Sequence, residues 1–433
     1  MEIAHLYAHY LSAEGVSTDT RSLKAGELFF ALKGPNFDGN THAAEALEKG
    51  ALAVVVDDPK LPALGNDARY LWVEDVLSSL QALARHHREQ LQIPVLALTG
   101  SNGKTTTKEL LHAALARKFR VGATYGNLNN HIGVPLTLLR LPKDTELAII
   151  EMGANKQGDI QELCAIALPT HGLITNIGKA HLEGMGGAEG VLKTKTELFQ
   201  HLRSTGGMVF LNTLDPKLVH MEKRFQQVFT YPLPGNHFSA QLVDAAPFVR
   251  FTVEGSETIH PSRLLGAYNF GNIAAALAVA AFFEVPEQEA IAAIAAYTPE
   301  NMRSQVLEKR TNTILLDAYN ANPSSMEAAI LAFGQMESPK KKMLILGDMY
   351  ELGEETEEEH ARLGELVSRF PFEVICFTGR HVQAALSRAP MRALYFPDPF
   401  SFRNWLADSA LEEHLILIKG SRGMKLEGLV DFI

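Results

Sequence analysis

The chain has 433 residues, 46% hydrophobic and 21% charged, a composition that supplies several packed cores and excludes wholesale disorder. Its formal net charge of −10 argues against nucleic acid as the main partner, because a duplex binder carries a basic surface. At about 100–200 residues per domain, a chain of this length divides into two to four domains.

The first segment, residues 1–80, has strand-like runs at 28–32 and 52–56 around a helical stretch at 43–49, with Gly34, Pro35 and Gly39 marking loops. A helix is expected over 73–90. The second segment, 81–298, alternates apolar strand runs (95–99, 147–152, 171–176, 208–212) with helical patterns (104–118, 159–166, 188–202, 272–283). That alternation predicts a mostly parallel sheet covered by helices. The third segment, 299–433, has strand runs at 313–316, 342–346, 374–377, 393–396 and 415–418 with helices between them. The acidic stretch 353–359 reads as a solvated loop or helix start. The expected fold class is α/β in three domains: a small N-terminal one, a central phosphate-loop sheet and a C-terminal Rossmann-like domain without a GxGxxG run.

Cys164 and Cys376 sit in apolar runs without metal-like spacing and read as buried, reduced thiols. The N-terminus, with His5 and His9, lacks a signal-type apolar core, and the longest near-apolar run, 272–285, falls short of the about 20 residues that span a bilayer. A cytoplasmic protein with no membrane insertion is expected.

The run Pro94-Val-Leu-Ala-Leu-Thr-Gly-Ser-Asn-Gly-Lys-Thr-Thr-Thr107 carries the most specific chemistry. A strand ends at Thr99, a loop of Gly100, Ser101, Asn102 and Gly103 follows, and Lys104 opens a helix. Glycines let backbone N–H groups converge on phosphate oxygens, and the helix N-terminus adds partial positive charge there. Lys104 suits the β- and γ-phosphates of ATP, and the Thr105 hydroxyl, followed by Thr106, suits Mg²⁺. The glycine spacing is shorter than in the common Walker pattern, with Leu98 where the first glycine would stand. Glu151, at the end of its own strand, reaches the same sheet edge and can complete a hard-cation site.

With Thr99–Thr107 stands Glu151-Met-Gly-Ala-Asn, and the chain as a whole resembles the Mur ligases, ATP-dependent amide-forming enzymes of peptidoglycan precursor synthesis. Further matching segments include Asn127-Leu-Asn-Asn130, Thr175-Asn-Ile-Gly-Lys-Ala-His-Leu-Glu-Gly184, Lys193-Thr-Lys-Thr-Glu-Leu-Phe199, Asp317-Ala-Tyr-Asn-Ala-Asn-Pro323 and Lys419-Gly-Ser-Arg-Gly-Met-Lys425. The last two narrow the resemblance to the branch that joins D-alanyl-D-alanine to UDP-N-acetylmuramoyl-tripeptide. Another amide ligase of this family or of the folylpolyglutamate synthase type is the alternative.

The resemblance implies activation of the tripeptide carboxylate as an acyl phosphate, attack by the dipeptide amine, and two Mg²⁺ ions to offset the crowded anions. It makes Lys104, His181 and Lys195 the catalytic groups, and Thr105, Glu151, His181 and Lys195 the metal ligands, with Lys195 carbamylated. By residue pattern alone Lys193 and Lys195 both read as solvated helix positions. Asn269, Asn272, Arg303 and Asp317 are implied to contact ATP; for Asn269 a helix N-cap is the equal alternative. Asp19, Thr20, Arg21, Lys33 and Asp38 are implied to hold the nucleotide-sugar peptide. Asn127, Asn130, Tyr319, Asn320, Asn322, Lys419 and Arg422 are implied on the substrate side. A monomer is expected, closing its domains for catalysis.

Overall fold

Helix-covered, mostly parallel sheets follow one another along the chain in a computed structural model that describes residues 1–61, 67–409 and 411–433. The N-terminal sheet is parallel, in the order Gly15–Ser17, Glu27–Phe30, Ala53–Val56, Tyr70–Trp72. Its connection to the next sheet is the helix Val76–Gln90, started by Asp75, whose carboxylate accepts the Ser78 N–H at 2.7 Å.

The central sheet has six strands, all parallel, in the order Val228–Tyr231, Met208–Asn212, His171–Ile174, Val95–Thr99, Leu147–Glu151, Val121–Ala123. Every residue of Val95–Thr99 and Leu147–Glu151 is buried, which is why both read as unbroken runs rather than alternating ones. Lys104–Leu115 and Phe270–Phe282 cover one face, and Asp159–Ala167 and Gly187–Thr205 the other. From Val95–Thr99 the chain moves first to one side of the sheet and later to the other. The crevice past its carboxyl end is therefore a topological switch point, where open α/β sheets bind ligands.

An antiparallel sheet of Ala240–Asp244, Phe248–Val253 and His260–Leu265 was not foreseen. Val249, Phe251 and Val253 point into the core under Phe270–Phe282, but exposed Arg250 interrupts the apolar signal.

The C-terminal sheet runs Gln305–Lys309, Asn312–Asp317, His414–Lys419, Lys341–Gly347, Val374–Thr378, Leu394–Phe396, parallel except for its first pair. The acidic stretch becomes a short 3₁₀ turn, Gly353–Glu355, leading into the helix Thr356–Val367. Ahead of this sheet, Asn301, Met302 and Ser304 adopt left-handed φ of 57°, 58° and 52°. The Tyr319 N–H donates to the Met302 carbonyl at 3.3 Å, and the Ser304 N–H donates to Asp317 Oδ1 at 3.2 Å. Both cysteines are buried, and among the described residues no helix is long and apolar enough to cross a membrane.

Candidate active site

The phosphate loop is shaped by close approach. A Cβ on Gly100 (φ +150°) would fall 2.0 Å from Thr175 Oγ1, and one on Gly103 (φ +79°) 2.5 Å from Asn272 Oδ1. Glycine is thus required at both places the motif puts it. Gly103 opens the helix Lys104–Leu115, so the loop's N–H groups and the helix N-terminus face one cleft.

That cleft has a volume of about 930 Å³. Of the expected site residues, Ser101, Asn102, Gly103, Lys104, Thr105, Thr106, Glu151 and His181 line it. So do Asn127, Asn130, Asn269, Asn272, Arg303, Asp317, Tyr319, Asn320, Asn322 and Lys419. The cleft therefore joins the central sheet edge to the C-terminal sheet.

Lys104 Nζ donates to the Gly100 and Ser101 carbonyls at 2.8 and 3.3 Å. Burial lowers its pKa, the Glu151 carboxylate opposes that, and the Arg303 charge adds to it. Glu151 is 1% exposed; Oε1 accepts from Asn129 Nδ2 at 2.7 Å, and the buried Oε2 has no partner among the described residues. A buried carboxylate oxygen left free at a cleft wall, beside the Thr105 hydroxyl, fits a hard divalent cation such as Mg²⁺. Among the described residues no group of three or more His, Cys, Asp or Glu side chains is placed to hold a metal on its own.

His181 Nδ1 pairs with the carboxylate of Glu351, from the C-terminal part of the chain, and this pairing holds the Glu351 carboxyl below its usual range. Lys195 is 1% exposed on the inner face of Gly187–Thr205, while Lys193 is exposed, which corrects the reading of both as solvated. Burial lowers the Lys195 pKa well below the usual lysine value, and the nearby Lys104 charge adds to this. Lys195 is thus close to the phosphate-loop lysine although it is not part of the cleft wall.

The asparagines at the start of Phe270–Phe282 have partners inside the protein. Asn272 Oδ1 accepts from Thr107 Oγ1 at 3.0 Å, its Nδ2 donates to Asn269 Oδ1 at 2.8 Å, and Asn269 Nδ2 donates to the Leu265 carbonyl at 2.8 Å. Asn269 makes no side-chain cap, so the N-cap alternative does not hold. On the opposite wall, the Arg303 guanidinium stacks 3.7 Å from the Tyr319 ring centre, and Lys419 Nζ meets Asp317 Oδ2 at 2.5 Å.

Other expected residues lie outside the cleft wall. Arg422 bonds Glu427 at 3.0 Å. Arg21 forks onto Asp19 at 2.6 Å, and its hydrogen bonds lower the Asp19 pKa to about 2. The Thr20 carbonyl accepts from Lys49 Nζ at 3.0 Å, Lys33 pairs with Asp57 at 2.7 Å, and Asp38 Oδ1 accepts the Asn40 N–H at 3.0 Å. The sequence reading missed Asn129, Asn176, Asp215 and Lys217, all in the cleft wall. Asn129 and Asn176 stand inside segments quoted above. Asp215 precedes Pro216 in a helix-start pattern, its carboxylate accepting the Lys217 N–H at 2.9 Å.

Comparison with known proteins agrees with this geometry. Residues 98–280 match the Mur ligase middle domain, 302–422 the Mur ligase glutamate ligase domain, and 12–88 the Mur ligase family catalytic domain. The UDP-N-acetylmuramoyl-tripeptide--D-alanyl-D-alanine ligase of Bacillus subtilis (strain 168) is 36% identical over 96% of this chain and 92% of its own. The crystal structure of MurF from Acinetobacter baumannii superposes with a TM-score of 0.85 at 31% identity, over 96% of this chain and 92% of that one. MurF ligase from Thermotoga maritima in complex with ADP gives 0.84 at 28% identity, over 98% and 97%. By its length-wide identity to these ligases and the match of all three of its segments, the chain belongs to the Mur ligase family.

Proposed function

We propose that this chain joins D-alanyl-D-alanine to UDP-N-acetylmuramoyl-tripeptide, converting ATP to ADP and phosphate, in the cytoplasm and as a monomer. The observation that carries the reading is one cleft bounded by a phosphate loop with a buried lysine, a free carboxylate oxygen on Glu151, and the Tyr319–Asn322 segment of the next domain. The relatives' names supply the substrates.

In this reading a tripeptide carboxylate oxygen attacks the γ-phosphorus and ADP leaves, giving an acyl phosphate. The dipeptide nitrogen then attacks the carbonyl carbon, phosphate leaves, and the nitrogen loses a proton. Lys104 and the loop N–H groups hold the phosphates in line. Glu151 and Thr105 would hold Mg²⁺, which when bound offsets the repulsion between carboxylate and triphosphate. Lys195, kept largely neutral by burial, is the form of an amine that takes up CO₂. Its carbamate would turn a buried cation into an anion able to ligate a second Mg²⁺ with His181, once His181 leaves Glu351. Asn269 and Asn272 hold the loop from behind, while Arg303 on Tyr319 and Lys419 on Asp317 form the wall that meets nucleotide and dipeptide.

A coupled ADP-release assay tests the proposal. Release that depends on both UDP-N-acetylmuramoyl-tripeptide and D-alanyl-D-alanine supports it; release without any acceptor means a plain ATPase and refutes it. The same assay with lysine and with meso-diaminopimelate at the third position identifies the tripeptide.

A further inference from the structure

The side chain of the phosphate-loop residue Asn102 meets that of Asn322, which lies 220 residues later and opens the helix Pro323–Gln335. Asn322 Nδ2 donates to Asn102 Oδ1 at 2.7 Å. Each amide is aimed by its own surroundings. The Asn102 peptide is held by its N–H to Asn176 Oδ1 (3.1 Å), and by Thr175 Oγ1 (2.6 Å) and Asn176 Nδ2 (2.9 Å) to its carbonyl. Asn322 Oδ1 caps its helix by accepting the Ser325 N–H at 2.9 Å, and the Asn322 N–H donates to Ser325 Oγ at 3.1 Å. Because Ser325 supplies a donor, the cap must use the Asn322 oxygen, and the amide nitrogen is left facing Asn102.

The next helical residue continues the seam. Ser324 Oγ accepts the Lys179 N–H at 2.8 Å and packs on Gly178, where a Cβ would come within 2.9 Å of it. Gly178 in turn donates to Ser101 Oγ of the phosphate loop at 2.9 Å. Beyond it, Lys179 Nζ pairs with Glu359 at 2.6 Å.

We propose that the Asn102–Asn322 amide contact is the closure contact of this ligase, through which the phosphate loop positions the dipeptide-bearing domain for amide formation. Asn102 and Asn322 act here as positioning residues. A loop seated on phosphate has a fixed Asn102 side chain, and the docked helix start then brings Tyr319 and Asn320 to the reacting carboxylate. The inference rests on the proposed ligase activity for its kinetic readout, but not for its structural one.

Serine also caps helices well and cannot reach Asn102, so Asn322→Ser separates the two duties of Asn322. With one hydrogen bond lost, kcat is expected to fall about tenfold, while KM for ATP stays within about twofold and the melting temperature is unchanged. Asn102→Ser should behave alike, and the double variant should be no worse than about tenfold, because both remove one contact. Independently of turnover, small-angle scattering with a nonhydrolysable ATP analogue and Mg²⁺ should give Asn322→Ser a larger radius of gyration than the wild type. Multiplicative losses near a hundredfold, unchanged kcat in Asn322→Ser, or equal radii overturn the inference. Wild-type release that ignores the dipeptide instead overturns the proposed function, and the scattering comparison still decides the closure contact.

Discussion

Replacing Asn129 by alanine tests how Glu151 is prepared for its ligand. The Asn129 amide donates to Glu151 Oε1 at 2.7 Å and leaves Oε2 free in a nearly fully buried carboxylate. Alanine removes that donor, while the backbone bond from the Gly153 N–H to the Asn129 carbonyl, 2.7 Å, survives. The fold is therefore expected to hold. A hydrogen bond to a charged group contributes about 1.5–3 kcal/mol, which converts to roughly a ten- to 150-fold change in an equilibrium constant. Freed from Asn129, the carboxylate samples orientations other than the one facing the cleft, so the loss falls on cation binding. ADP release measured against Mg²⁺ concentration should show the half-saturating Mg²⁺ raised by about that factor, with most of kcat recovered at high Mg²⁺. Asn129→Asp should be worse, since it sets a second carboxylate against the first. An unchanged Mg²⁺ dependence in Asn129→Ala, whatever happens to kcat, refutes the reasoning.

Lys104→Ala should abolish ADP release and leave the melting temperature and circular dichroism near wild type; near-normal turnover would remove Lys104 from the site. Gly103→Ala combines a left-handed φ, costing about 1–2 kcal/mol, with a Cβ 2.5 Å from Asn272 Oδ1, so nucleotide affinity measured by calorimetry should drop about tenfold or more. Wild-type affinity in that variant would mean the loop is not held as described. For Lys195 the folded pKa lies below the unfolded one, so the unfolded chain binds more protons between the two values. Stability limited by this free amine rises with pH across that window, up to the ordinary lysine value of 10.5. Lys195→Met should remove this part of the pH dependence, raise the melting temperature near neutrality and eliminate turnover. A lower melting temperature in the methionine variant would show that the buried amine is stabilised by its surroundings.

The strands and helices nearest the phosphate loop were legible because their signals are local. The strand Val95–Thr99 and the helix Lys104–Leu115 each carry their own period, and the glycines between them answer to sterics within a few residues. The antiparallel sheet at 240–265 was not legible, since its inward Val249, Phe251 and Val253 find their partners on a helix that comes later in the chain. The site divides along the same line. Three asparagines fall within 127–130, and their order says nothing of their duties: Asn130 Oδ1 accepts the Ile132 and Gly133 N–H groups that open the helix Gly133–Leu139, whereas Asn129 reaches Glu151. Lys193 and Lys195 are equivalent until the helix Gly187–Thr205 is laid on the sheet, which buries one and exposes the other. The partnership of His181 with Glu351 depends on two domains meeting, which local sequence cannot encode.

The left-handed residues ahead of the C-terminal sheet bear on how the molecule divides its time. Met302 and Ser304 each hold a conformation that costs about 1–2 kcal/mol, with Asn301 better suited to it. An orientation of the C-terminal domain that relaxed both would gain about 2–4 kcal/mol, a roughly thirty- to thousandfold change in a two-state ratio. Four short backbone positions, remote from any phosphate, can thus set what fraction of molecules stands ready before a substrate arrives.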